Sequence, residues 1–172
     1  MLNYAVVRTD NMAGTDVRSM LVSVKYMGAD GQTETAIENG NVLKLGALMD
    51  GEREVHIGAA VEASTAINDV VLVASPEVVY DERYIDLDDY INEAGKICRA
   101  YRLHSGDFFS VTKEALDGAD EPAVGDVVEL AAGTKLSVVA AAAGATSGST
   151  VVGAIHAIET AGRHTFYVIK VA

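Results

Sequence analysis

Along this chain apolar residues recur mainly in alternation with polar ones over short runs, and glycine, asparagine or aspartate interrupts each run. A period of two is the signature of strands with one buried face. The runs fall at 4–8, 21–27, 42–48, 54–57, 70–74, 108–112, 127–131, 135–140, 151–159 and 165–171. Ten short strands at close spacing, separated by glycine turns, predict a mainly β protein, a compact barrel or sandwich.

One stretch departs from that rhythm. Between 86 and 100 the apolar residues are Leu87, Tyr90, Ile91, Ala94, Ile97 and Cys98, the stripe of an amphipathic helix. Asp86 stands where an N-cap would, Asp88 and Asp89 occupy the first turn, and Lys96 and Arg99 the last, all as the helix dipole favours. The spacing therefore predicts one central helix over about 86–100. Gly95 sits against it, at about 1 kcal/mol relative to alanine in a helix interior.

Two segments lack pattern. Residues 11–19 mix Gly, Thr, Asp and Asn, so the first strand is expected to lead into an exposed arm. The predicted organisation is an N-terminal strand and extended arm over 1–20, then a single β-rich domain over 21–172 in which the helix could form a subdomain. The small-residue run AAAAGATSGST at 140–150 reads as a hairpin tip. There is also a weak internal echo: Gly40-Asn41-Val42-Leu43-Lys44-Leu45 resembles Gly125-Asp126-Val127-Val128-Glu129-Leu130. Duplication and convergence on a common turn both account for it.

Composition narrows the function. Against 25 Asp and Glu stand 13 Lys and Arg, a net charge of -12, which disfavours nucleic acid and anionic membranes as partners. With no Trp and 16 Gly in 172 residues, the core must be built from small aliphatic residues. Cys98 is the only cysteine, which excludes an intrachain disulfide framework and a Cys-rich zinc site. No charged leader precedes an apolar stretch, and no run of 18 apolar residues occurs, so neither a secretory signal nor a membrane span is expected.

Candidate chemistry is sparse. His56, His104, His156 and His164 show no metal-ligand spacing, and no cofactor or metal is expected. His104-Ser105-Gly106-Asp107 looks superficially catalytic, but such a sequence reads better as a turn before a strand. Cys98 lies on the apolar stripe, where thiols are usually buried and inert. Asp81, Glu82, Asp86, Asp88, Asp89 and Glu93 form the densest acidic region, read as a solvated helix entry rather than a calcium loop. Neither phosphate-cradle pattern fits the glycines. No catalytic residues are predicted, and the chain is not expected to be an enzyme.

A family resemblance adds a direction. The segments Ala5-Val6-Val7-Arg8-Thr9-Asp10-Asn11-Met12-Ala13-Gly14-Thr15, Ile37-Glu38-Asn39-Gly40-Asn41-Val42 and Leu48-Met49-Asp50-Gly51-Glu52-Arg53-Glu54-Val55 resemble those of small tailed-bacteriophage head proteins. So do Ser75-Pro76-Glu77-Val78-Val79-Tyr80-Asp81-Glu82 and the stretch from Gly125 to Ile169. The likeness is one of texture over most of the chain, and it points to the capsid decoration, or cement, proteins. It implies a compact β-rich domain, self-association with a trimer favoured, and an N-terminal arm lying across the major capsid protein. The place would be the capsid exterior of a virion, after synthesis in the host bacterial cytoplasm without secretion. The chain is larger than the smallest such proteins.

Strand addition is a natural docking mode for such an arm. The expected partner-binding residues are therefore Val6, Val7, Arg8, Thr9, Asp10 and Met12. The alternatives are another virion component, in the tail, head fibre or connector, and an enzyme or small-ligand barrel with a site dispersed over His104, Asp107 and the acidic cluster.

Overall fold

The computed structural model describes residues 3–81, 83 and 86–172. The chain is mainly β, as the alternation predicts. It opens with β1 (Val7–Asn11) and a single helical turn, α1 (Ala13–Asp16). Next come β2 (Leu21–Tyr26), β3 (Val42–Leu48), β4 (Val55–Ala59), β5 (Val70–Val73) and β6 (Ile97–Arg102). These five close into a barrel in the order β2-β4-β3-β5-β6. The last strands are β7 (Phe108–Val111), β8 (Leu116–Gly118), β9 (Val127–Leu130), β10 (Leu136–Val139), β11 (Val151–Ala161) and β12 (His164–Val171). With β1 they form a seven-stranded sheet, β1-β7-β12-β11-β9-β10-β8.

The barrel and the sheet share a core. β5 reads VVLV and is buried along its whole length, because its two faces serve two different interiors. Val71 and Val73 point into the barrel with Val24, Leu43, Cys98 and Ala100. Val70 and Leu72 join the larger cluster with Phe109, Val111, Leu130, Leu136, Ile155 and Ile169 of the sheet. That second cluster makes the two parts one packed body, so residues 21–172 hold a barrel and most of a sheet around a common interior.

The expected helix at 86–100 does not form. Leu87–Asp89 is one 3₁₀ turn, Asn92 bridges to Ile37 in antiparallel fashion, and 97–102 is strand β6. Gly95 explains the outcome: its φ is +82°, a left-handed conformation that ends any helix and that non-glycine residues adopt at a cost. It belongs to a turn in which the Lys96 N–H donates to the Glu93 carbonyl (3.1 Å). Downstream, exposed Ile97 and Arg99 alternate with buried Cys98 and Ala100, a period of two hidden inside the helical stripe.

The N-terminal segment also differs from expectation. Residues 3–20 are folded onto the body rather than extended: Met12 lies in the large core, and the Ala13 N–H donates to Asp107 Oδ1 (2.8 Å). Apolar Val6, Val7 and Met12 have core to fill, and that burial outweighs the loose composition of 11–19. Nor is 140–150 a hairpin tip. β9 lies between β10 and β11 in the sheet, so the connection crosses over it. Two carboxylates hold the crossing: Asp126 Oδ1 accepts the Ala141 N–H (3.0 Å) and Glu129 Oε2 the Thr146 N–H (2.8 Å).

Candidate docking edge

β1 is the terminal strand of the open sheet. It pairs antiparallel with β7 alone, Val7 opposite Val111 and Arg8 opposite Ser110, and then the register slips by a bulge before Asn11 meets Phe108. The Thr112 N–H donates to the Val6 carbonyl (3.0 Å), and the Val6 N–H to Thr112 Oγ1 (3.1 Å). Backbone polarity alternates along a strand, so with Val6 bonded to β7 the N–H and C=O groups of Val7 face away from it, while Thr9 and Asp10 fall in the bulge and have no register partner on β7. Among the described residues no strand pairs on that side.

The six residues expected to make contacts separate by depth. Val6, Val7 and Met12 are buried in the protein's own interior, and the Val6 N–H and carbonyl are already bonded to Thr112, so none of the three offers a partner its side chain. Arg8 and Thr9 are half-buried and Asp10 is exposed. Arg8 runs across the sheet face. Its guanidinium sits 4.3 Å above the Phe166 ring centre and donates to Glu159 Oε2 (2.7 Å), and it lies 3.5 Å from Asp10 Oδ1. Asp10 in turn accepts the hydroxyl hydrogen of Ser110, which is fully buried beneath the pair. Sequence gives no hint of Glu159, Phe166 and Ser110, since they lie more than a hundred positions from Arg8 and carry no motif.

The edge is short and interrupted. A bulge and two charges are devices that protect a sheet edge against indiscriminate pairing. So short an edge leaves a donated strand few backbone bonds, each worth about 0.5–1.5 kcal/mol. A single docking event on this edge is weak, and binding must gain from many copies acting together.

The dispersed catalytic candidates do not assemble. Asp107 is buried, and its carboxylate accepts the N–H groups of His104 (2.9 Å) and Ala13 (2.8 Å). Asp126 repeats the arrangement with Ala123 (2.9 Å) and Ala141 (3.0 Å), and Gly106 and Gly125 precede the two aspartates with the same φ of +93°. His104-Ser105-Gly106-Asp107 is therefore a turn clamp, as its composition suggests. His56 Nδ1 lies 2.9 Å from the Gly46 carbonyl oxygen, while His156 and His164 pack edge-on against Phe108 and Phe166. Cys98 is buried, and burial pushes its thiol up to about 11.

The acidic region divides into separate pairs. Carboxylate oxygens of Asp86, Asp88 and Asp89 come within 4.8 Å of one another, close enough for a cation. The cation present there is Arg163, which bridges to Asp86 (3.2 Å) and to buried Asp88. Asp81 is bound by Arg83 at 2.6 Å, and Glu82 lies outside the described residues. No helix among the described residues is long and apolar enough to cross a membrane. Comparison with protein-family models, with curated proteins and with solved structures found no match to this chain.

Proposed function

We propose that this chain is a noncatalytic structural protein of a tailed-bacteriophage virion, which binds the outer capsid lattice and stabilises the head by bridging major capsid protein subunits. The observation that carries the reading is the unpaired outer edge of β1, flanked by Arg8, Thr9 and Asp10. Strand addition there needs no pocket, and the weakness of one short edge suits a component present in many copies on a repetitive lattice. The family resemblance of the sequence supplies the capsid as partner and favours a trimer. Further support comes from His104, Asp107, Asp81, Asp86 and Asp88, which are already bonded to nearby backbone or to a neighbouring charge. Net charge of -12 suits a place outside the shell, away from the genome.

The test is to mix the purified protein with undecorated capsids and image the particles by electron cryomicroscopy. Regular occupancy is expected, with the β1 edge against the capsid protein. Thr9→Pro removes the N–H of a bulge residue that has no register partner on β7, so it should lower occupancy while preserving the circular dichroism spectrum. Empty lattice sites with the wild-type protein, or binding confined to one vertex, would overturn the proposal.

A further inference from the structure

The barrel's outer wall carries a groove of about 810 Å³, bounded by β2, β6 and the segment 76–80. Its charge runs against that of the whole molecule. Arg18, Lys96, Arg99 and His56 line it, and among the described residues Glu54 is the only carboxylate in its lining. The two arginines and the lysine form no ion pair with any described residue; other bases such as Lys44 and Arg53 share that state, and what sets these three apart is that they gather in one hollow. Lys96 instead donates to the Tyr90 hydroxyl (3.1 Å). In a chain with nearly twice as many acids as bases, three cations without ion pairs gathered in one concavity mark a surface complementary to negative charge.

Exposed apolar groups accompany them. Ile97 is 52% exposed, Val78 55% and Tyr80 95%, all on the same groove. Single exposed apolar residues need no explanation, but a contiguous set beside unpaired cations indicates a binding surface. Backbone addition is closed off here, because β2 is already paired with β4 and β6, and β6 with β2 and β5. Recognition must come through side chains.

We propose that this groove docks an extended acidic segment of another protein. Its carboxylates would lie on Arg18, Lys96 and Arg99, and an intervening apolar side chain on Ile97 and Val78. An extended chain shows alternate side chains to opposite sides, which matches cations set around an apolar floor. A nucleic acid strand fits less well. A long polyanion runs on past the groove into the neighbouring hollow, which shares Tyr80, Tyr90 and Lys96 and carries Asp81, Asp89 and Glu93, whereas a short acidic segment can end at the three cations. The inference rests on the groove alone and does not require the lattice reading.

The experiment is fluorescence anisotropy with three labelled probes: a nine-residue peptide alternating Glu and Val, its Gln-Val counterpart, and a twelve-nucleotide oligothymidylate. At about 50 mM salt, where screening is modest, the Glu-Val peptide should bind at least about tenfold more tightly than the Gln-Val peptide. That preference should collapse at about 500 mM salt. Arg99→Glu, on an exposed position of β6, should weaken the acidic peptide by about tenfold, and Lys44→Glu, exposed but outside the groove, by less than about twofold. Circular dichroism of each variant checks the fold. Equal binding of the two peptides, indifference to Arg99→Glu, or tighter binding of the oligonucleotide would each overturn the proposal.

Discussion

Replacing Asn39 by alanine should destabilise the protein by about 3–5 kcal/mol, far more than the loss of one side chain's packing. Asn39 is 1% exposed, and all of its polar atoms are engaged. Oδ1 accepts the Ser75 N–H (3.0 Å) and Asn92 Nδ2 (3.0 Å). Nδ2 donates to the Ser75 carbonyl (2.9 Å) and to Glu77 Oε1 (3.1 Å). Alanine leaves both backbone groups of buried Ser75 stranded, at about 1–3 kcal/mol each, while Asn92 loses one bond and keeps the Ile37 carbonyl (3.1 Å). Water entering the vacated space offsets part of the sum. Urea unfolding followed by circular dichroism and by the fluorescence of the seven tyrosines is the assay. With a slope of about 2 kcal/mol per molar, the midpoint should fall by about 1.5–2.5 M at unchanged slope. Asn39→Ala with Asn92→Ala should be non-additive by about 1 kcal/mol or more, since the two amides share a bond. A loss under about 1 kcal/mol would refute the reasoning, because it would mean that solvent satisfies Ser75 as well as the amide does. The network joins segment 37–41 to Ser75 and Asn92, so the same variant should also loosen the segment that walls the barrel groove.

Other consequences are simpler to read. Gly153→Ala should abolish stable folding, because a Cβ there would collide with the Lys170 carbonyl in the β11–β12 pair; soluble yield and the melting curve report it. The Cys98 thiol, held at about 11 by burial, should fail to react with an aromatic disulfide reagent at pH 8 until denaturant is added. A native thiol that reacts within seconds would contradict its placement in the barrel. Asp30 is held down to about 2 by the Thr33 hydroxyl and the N–H groups of Gln32 and Thr33. Its contribution is therefore present above the usual carboxylate value of about 4 and lost as pH falls through about 2. Nuclear magnetic resonance titration should show that midpoint in the wild type and a return toward the ordinary value in Thr33→Val.

Strands were legible where one face meets a core and the other meets solvent or a side chain of opposite polarity. β3, β7, β10 and β12 lie close to the alternating runs that announce them. β8 was not legible, because Leu116-Asp117-Gly118 is three residues long and exists through its parallel pairing with β10. The docking edge was half legible. Alternation located the strand at its start, but whether Val6, Val7 and Met12 face a partner or the protein's own interior depends on β7 and β12, a hundred residues and more away. Loose composition at 11–19 misled for a related reason: Met12 anchors that segment in the core, and one buried side chain leaves no periodicity. The groove's cations come from positions 18, 96 and 99, so only barrel closure brings them together.

The weak internal echo and the absent helix have one physical origin. Gly40, Gly95, Gly106 and Gly125 all take positive φ, and each stands one or two residues before a strand: β3, β6, β7 and β9. A polar residue follows each glycine: Asn41, Lys96, Asp107 and Asp126. At Asp107 and Asp126 the carboxylate reaches back three residues to a backbone N–H, which fixes the turn and aims the strand. The positive-φ glycine turn, used four times, is enough to account for the likeness of the 40–45 and 125–130 segments, although Asn41 bonds to Thr134 where Asp126 clamps its own turn. It also accounts for Glu93-Ala94-Gly95-Lys96-Ile97, where an apolar stripe at helical spacing is cut by the very glycine that launches β6. In a chain this rich in glycine, a Gly followed by a polar residue and an apolar alternation outranks a helical stripe that runs through it. Conformational cost at one residue decides the issue, because a helix across Gly95 would gain modest propensity and forfeit the β2–β6 pairing that closes the barrel.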